Sequence, residues 1–198
     1  MADDRRRNTD GRIARGERTR EAIMDAHRAC LLEGVLKPTG RLLAERAGIS
    51  LRTLWSHFND LEAVMSASAQ EWLERDAALR VAIAPDERLD RRLDAYCRMR
   101  VARLEQIAPA ARSAALGEPF SPALQASRRE HVQRVRDDIE QVFARELERA
   151  GEGRDTLAAA LFVVSSWPNW SSLRDDLALE VPDAERVMRE TIERLVLA

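Results

Sequence analysis

Residues that break regular structure or cross-link small folds are scarce in this chain. Among 198 residues there are 8 glycines, 7 prolines and 2 cysteines, and lysine occurs once, at Lys37. Few glycines and prolines, with 45% hydrophobic and 33% charged residues, argue against a disordered or all-β chain. Cys30 and Cys97 have neither metal-ligand spacing nor a CxxC partner, so we expect no disulfide and no metal site.

Long apolar runs are also missing. No stretch reaches the roughly 18 uninterrupted apolar residues of a membrane span, and the first twenty residues lack the apolar core of a signal peptide. We therefore expect a cytoplasmic protein with no membrane partner. The net charge is only −2, but residues 1–60 carry 12 Lys/Arg against 9 Asp/Glu. The N-terminal end is thus the part whose charge would attract phosphate.

The periodicity of the apolar residues predicts an all-α fold of about nine helices. Residues 1–16 are polar and Arg-rich with no apolar period, which indicates a flexible arm, either a solvated tail or a DNA-binding segment. After it, apolar residues recur every three or four positions and no strand pattern competes. The predicted helices, separated by glycine and proline, are 17–33, 40–47, 50–58, 60–85, 86–106, 110–117, 122–150, 154–178 and 183–197.

Two of these helices are short and separated by a tight turn. Thr39 can cap the first and Ser50 the second, and Gly48 between them tolerates a positive φ. Leu54 and Phe58 lie four apart on one side of the second helix, which leaves Arg52 on its polar side. This is the pattern of a helix-turn-helix, in which one helix enters the major groove of DNA. An ordinary helical hairpin has the same spacing, so spacing alone leaves both readings open.

Residue identities at fixed positions narrow the choice. The turn region closely resembles the signature of the tetracycline-repressor (TetR) family of transcriptional regulators, in the residues Ala44, Ala47, Gly48, Ile49, Ser50, Thr53, Trp55, His57 and Phe58. The segment TREAIMDA at 19–26 resembles the family's first helix, and residues 59–64 resemble the start of its fourth. The resemblance covers the first 65 residues, and the remainder agrees mainly in helix count.

The resemblance implies a three-helix DNA-binding domain at 17–60 and a larger helical domain for ligand binding and dimerisation at 61–198. It also implies that Thr39 contacts a phosphate, and that Trp55 and His57 touch the sugar-phosphate backbone. The residues implied to face the groove are Ser50, Leu51, Arg52, Thr53, Trp55 and Ser56. Arg52 is the best candidate to read a guanine, because the guanidinium fork matches the N7 and O6 acceptors.

The sequence departs from the family pattern at two positions. Trp55 stands where a tyrosine is usual, and Leu61 stands where a lysine usually points at a phosphate. Leu61 removes one expected backbone contact, which the arginines of residues 1–16 can replace. Structural roles remain open for the same positions, since Trp55 can be a packing residue and His57 can cap or pack against the fourth helix.

Aromatic residues and methionines of the larger domain are the candidates for an effector pocket. Pro168 interrupts an apolar helical run, and the resulting kink would open space beside Trp167 and Trp170. Such residues more often form plain core than pocket lining, and the family resemblance is what favours a pocket. The predicted ligand-binding residues are Trp72, Tyr96, Met99, Trp167 and Trp170, and the ligand is an unidentified small molecule.

The last two predicted helices are the candidates for a dimer interface. Residues 157–164, LAAALFVV, are apolar nearly all round, and a helix apolar on all sides must be covered on all sides. A two-fold homodimer through these helices would supply part of that cover, and the family resemblance points the same way. The predicted interface residues are Leu161, Val164, Val187, Met188, Ile192 and Leu195.

The leading hypothesis is a homodimeric repressor that a small molecule releases from a palindromic operator in double-stranded DNA. One alternative is a constitutive DNA-binding regulator without a ligand. Another is a small helical enzyme or carrier that keeps the motif as structure. Against it, the sequence shows no metal spacing, no phosphate-binding glycine loop after a strand and no Ser-His-Asp set. We therefore expect no enzyme activity and no cofactor.

Overall fold

The computed structural model describes the backbone of residues 2–198 and the side chains from residue 13 onward. It is all-α, and none of the described residues forms a β-strand. The predicted fold class is confirmed, with ten α-helices where about nine were expected. They are α1 Ala2–Leu32, α2 Gly40–Arg46, α3 Leu51–His57, α4 Leu61–Ala78, α5 Leu89–Gly117, α6 Pro122–Val142, α7 Ala144–Arg149, α8 Arg154–Ser165, α9 Trp167–Ser171 and α10 Val181–Leu197.

The first helix starts earlier than its apolar pattern. Its backbone is helical from Ala2, so residues 2–16, expected to be a flexible arm, continue α1. Arginine and alanine are good helix formers, and no proline interrupts the segment. The side chains of residues 1–12 lie outside the described residues. The helix ends as expected at Gly34, with φ 82°, where Val35 N–H donates to Cys30 C=O at 2.8 Å.

Two prolines act differently from each other. Pro168 interrupts the chain as expected, because α8 stops at Ser165 and α9 starts at Trp167. The predicted break at Pro109 is wrong, since α5 runs through it. A proline removes one hydrogen bond, and α5 tolerates this loss within its 29 residues. A break at Phe143, between α6 and α7, was not predicted.

The chain forms two compact units. The N-terminal unit comprises Met1–Trp72 and Pro109–Gln125, and the C-terminal unit comprises Leu73–Ala108 and Ala126–Ala198. These units do not follow the predicted boundary after residue 60. In the N-terminal unit, α1, α2 and α3 pack together around a core that includes Ile23, Leu43, Leu54, Phe58 and Val64. The core of the C-terminal unit includes Tyr96, Phe143, Leu161, Trp170, Met188 and Ile192.

No helix in residues 2–198 combines the length and the apolar character needed to cross a membrane.

Candidate nucleic-acid interface

The turn between α2 and α3 is fixed by local hydrogen bonds. Thr39 Oγ1 accepts from Leu42 N–H at 3.3 Å, and Ser50 Oγ accepts from Thr53 N–H at 3.0 Å, so both predicted caps are confirmed. Gly48 has φ 66°, the left-handed conformation that favours glycine, and Ile49 N–H donates to Ala44 C=O at 2.9 Å. The start of α3 is therefore set by its own residues.

The two sides of α3 differ as the spacing predicts. Leu54 is fully buried and Phe58 is 3% exposed, so these two hold the helix on the core. The opposite side faces solvent. Of the predicted DNA-binding residues, Thr53 and His57 are half-buried, and the exposed ones are Thr39, Ser50, Leu51, Arg52, Trp55 and Ser56.

Hydrogen bonds divide the polar residues at the start and on the outer side of α3 into two groups. The hydroxyls of Ser50 and Thr53 lie 2.8 Å apart, and Ser56 Oγ donates to Thr53 C=O at 2.7 Å, so these hydroxyls bond within the helix. Arg52, by contrast, makes no hydrogen bond or ion pair with the described residues. Its fork of donors is therefore the group on this face with most capacity for an external partner.

Trp55 lies over the start of α2. A Cβ placed at Gly40 would lie 2.4 Å from Trp55 Cζ2 and 2.8 Å from Cη2, so only glycine leaves room for the indole in its present position. The side chain is nevertheless 38% exposed. Trp55 is thus a packing residue on one edge, while its other edge remains open to a ligand.

The end of α3 is held by a residue that the sequence did not single out. The Arg20 guanidinium, on α1, lies 4.2 Å above the centre of the Phe58 ring. Its Nη1 also donates to His57 C=O at 3.5 Å. This cation–π contact joins residues 38 positions apart in the sequence, so no local sequence pattern predicts it.

The cap at the start of α4 differs from the predicted one. The expected cap, Asn59 with Glu62, does not form, because α4 starts one residue later than that spacing requires. Asp60 is the cap instead, and its Oδ1 accepts from Ala63 N–H at 2.8 Å. Leu61 is the first residue of α4 and is 37% exposed, so an apolar side chain occupies the position where the family pattern has a lysine.

The predicted ligand-binding residues belong to both units. Trp72 belongs to the N-terminal unit and is 5% exposed. Tyr96 and Trp170, in the C-terminal unit, are core: Tyr96 O–H donates to Ser165 Oγ at 2.9 Å, and Trp170 Nε1 donates to Glu105 Oε1 at 2.7 Å. Both are therefore core residues, which is the role that the sequence leaves open beside pocket lining. Trp167 is half-buried.

Met99 does line a cleft, which we call the Arg80 cleft. It has a volume of about 240 Å³ and lies within the C-terminal unit. The lining comes from the segment after α4 and from α5 and α6. Its residues are Arg80, Val81, Ala82, Ile83, Met99, Asp138, Gln141 and Val142.

One wall of the Arg80 cleft continues into a buried charged group. Arg103, 1% exposed, donates from Nε and Nη2 to Asp76 at 2.8 and 2.6 Å, and from Nη1 to Asp138. Burial alone would raise the pKa of Asp76, but the hydrogen bonds and charge of Arg103 outweigh it and hold the pKa below its usual value. The sequence analysis did not predict this charged group, because charged residues on a helix usually indicate a side that faces solvent.

A second buried arginine lies near the end of α8. Arg100 Nε donates to Ser165 C=O at 2.7 Å, one of the carbonyls that the interruption before Pro168 leaves without a helical partner. Its Nη2 lies 3.4 Å from His131 Nε2. Burial lowers the pKa of Arg100 to about 10, and burial followed by the charge of Arg100 lowers the pKa of His131 to about 4.

Half of the predicted dimer interface lies in the core of its own chain. Leu161, Met188 and Ile192 are fully buried, because α8 and α10 cover each other within one chain. The prediction is therefore wrong for these three residues, which a partner chain cannot reach. Val164 and Leu195 are half-buried, and Val187 is 41% exposed.

No group of three or more His, Cys, Asp or Glu side chains, from residue 13 onward, is placed to hold a metal ion. Both cysteines are buried as free thiols.

A solved structure shares this fold. It is the crystal structure of a transcriptional regulator from Rhodococcus sp. Rha1, which matches with a TM-score of 0.66 over 92% of this chain and 96% of that one. The sequences are 17% identical, so the similarity shows the fold alone. No family model matches the chain, and no curated protein matches it in sequence.

Proposed function

We propose that the protein is a DNA-binding transcriptional regulator of the TetR type that acts as a homodimer. The observation that carries the proposal is the outer face of α3, where Arg52 is exposed and unpaired among the described residues beside Trp55 and Ser56. A short helix, capped at Ser50 and braced by α2, fits a major groove. The Thr39 hydroxyl, which accepts from Leu42 N–H, still has its own hydrogen to donate to a phosphate.

The proposal includes repression that a small-molecule effector relieves. The helix α4 is continuous from Leu61, three residues after Phe58, to Ala78 in the C-terminal unit. An effector that binds the C-terminal unit more tightly when α4 has one position than when it has another would favour the first position. The effector can act on DNA binding only through such a difference in affinity. A constitutive regulator remains the second candidate, and it differs only in that no ligand changes its affinity for DNA.

Selection of binding sites from a random duplex pool tests the proposal. The wild-type chain should enrich a palindrome with half-sites one helical turn, or a multiple of it, apart. Arg52→Ala should relax the preference at one base position, at a cost of about 1–3 kcal/mol. Arg98→Ala, at an exposed arginine of α5, is the matched control and should enrich the wild-type palindrome. An unchanged preference in Arg52→Ala would show that Arg52 reads no base.

A further inference from the structure

We propose that the Arg80 cleft binds a small organic carboxylate. The cleft volume of about 240 Å³ corresponds to the liquid volume of about eight water molecules. This is below the range of roughly 300–1,000 Å³ that is typical of sites for drug-sized ligands. The occupant is therefore a short molecule, and the side chains of the cleft indicate its chemistry.

The floor of the cleft is apolar and fixed. Ile83, Met99 and Val142 are 7%, 5% and 3% exposed, so they belong to the core of the C-terminal unit and offer a preformed surface. Val81 lies beside them at the cleft and is 59% exposed. A short aliphatic or aromatic body would cover this surface and remove it from water, which favours binding.

The side-chain acceptors that line the cleft already accept hydrogen bonds. Asp138 Oδ1 accepts from Arg80 Nε at 2.6 Å, and Oδ2 accepts from Arg103 Nη1. Gln141 Oε1 accepts from Arg80 Nη2 at 3.1 Å. An amine or another donor would therefore compete with two arginines for these oxygens, which disfavours a cationic ligand.

Donors, in contrast, are in excess. Arg80 Nη1 and Gln141 Nε2 make no hydrogen bond with the described residues. Val81 N–H is engaged only by the Met99 thioether at 3.3 Å, and sulfur is a weak acceptor. A ligand must bring acceptors to satisfy these groups, and a carboxylate brings two oxygens that match the guanidinium fork. Arg80 is 49% exposed in its side chain, so its charge is also accessible from solution.

The cleft is connected to α4 by the buried charged group. A carboxylate on Arg80 shares the guanidinium charge with Asp138, and Asp138 in turn shares Arg103 with Asp76 in the last turn of α4. Occupation of the cleft would thus alter what holds the end of α4. This regulatory consequence rests on the proposed function, whereas binding of the acid does not.

Isothermal titration of the full chain with hexanoate, hexanamide and hexylamine tests the proposal. We expect hexanoate to bind at least about tenfold more tightly than hexanamide, and hexylamine more weakly still. Arg80→Gln should weaken hexanoate binding by at least about tenfold, and Gln141→Ala should weaken it by less because the ion pairs remain. Arg88→Gln is the matched control, since Arg88 is exposed, pairs with Asp90 and does not line the cleft.

Three results would overturn the proposal: no hexanoate binding by the wild-type chain, equal affinity for the acid and its amide, or full hexanoate affinity in both cleft variants. The comparison of acid and amide needs only the wild-type chain, so it stands even if Arg80→Gln does not fold. Selection of DNA sites by acid-free protein is a separate result. DNA binding without acid binding overturns only the proposal that the cleft binds a carboxylate. Acid binding without DNA binding overturns only the proposed function.

Discussion

At the scale of single residues, Gly40 and Trp55 form a matched pair. Because an alanine Cβ at Gly40 would meet the indole at 2.4 Å, Gly40→Ala should push the Trp55 ring outward. The indole is partly exposed and can move, so we expect a cost of about 1–3 kcal/mol in the free energy of unfolding. Urea unfolding, followed by tryptophan fluorescence, measures it.

Two controls locate the cause of that loss. No atom lies within 4 Å of a Cβ at Gly153, so Gly153→Ala should change stability by less than about 0.5 kcal/mol. In a Trp55→Tyr background, which removes the colliding second ring, Gly40→Ala should cost less. An equal cost in both backgrounds would mean that the helix start, not the indole, rejects alanine.

His27 gives the second prediction at this scale. It is 2% exposed, its Nδ1 lies 2.9 Å from Ser68 Oγ, and its Nε2 is buried without a partner among the described residues. Burial lowers its pKa to about 4 from 6.5. The unfolded chain therefore takes up a proton between pH 6.5 and 4 that the folded chain does not, and stability falls as the pH falls.

Urea unfolding at pH 7.5 and pH 5.0 measures this contribution. His27 should account for about 2 kcal/mol of the loss, and the half-buried His131 for a similar amount. His27→Gln, which can keep the bond to Ser68 but does not titrate, should therefore lose less stability on acidification than the wild type. If the two chains lose the same amount, His27 does not carry the effect.

At the scale of helices, local signals could be predicted and long-range ones could not. Gly48 and Ser50 act on neighbours within five residues, so the sequence was sufficient to place the turn. The cap of α4 was displaced by one position, from Asn59 to Asp60, because adjacent residues offer nearly the same chemistry. The continuation of α5 through Pro109 depends on packing by residues distant in sequence, which no local rule contains.

The last turn of α4 depends on a buried ion pair. Asp76 is fully buried and accepts two hydrogen bonds from Arg103 of α5. Asp76→Asn leaves the Arg103 charge less compensated, and we expect a loss of about 3–5 kcal/mol in the free energy of unfolding. Asp90→Asn, which breaks the exposed pair with Arg88, should cost less than about 1 kcal/mol. Similar losses in the two variants would contradict a stabilising role for the buried pair.

The functional sites also include features that local sequence signals predict and features that they do not. Exposure of Arg52 and burial of Leu54 follow from helical spacing, so the outer face of α3 could be predicted. The Arg80 cleft could not, because Arg80, Met99 and Gln141 come from three separate segments. Aromatic content alone did not distinguish pocket from core, and Tyr96 and Trp170 satisfy their polar atoms inside the core.

At the scale of the whole molecule, exposed apolar residues on α8 and α10 support the proposed homodimer. Val163, Val187 and Leu197 are 58%, 41% and 63% exposed. Sedimentation at micromolar concentration should show a dimer, and Val187→Glu should shift it toward monomer by placing charge in the interface. Leu116→Glu, at a residue 43% exposed in the N-terminal unit, is the control and should remain dimeric. A monomeric wild type would contradict the dimer.

The central claim is that the outer face of α3 binds duplex DNA, and the affinity for a selected duplex across a salt series tests it most directly. We predict a steep linear fall of the logarithm of affinity with the logarithm of salt, roughly 10³–10⁵-fold between 50 and 200 mM if 6–10 phosphates are contacted. Arg52→Ala should bind the selected duplex more weakly at every salt concentration. The contradicting result is a pool that yields no enriched sequence even at low salt, or an affinity that depends on neither salt nor Arg52.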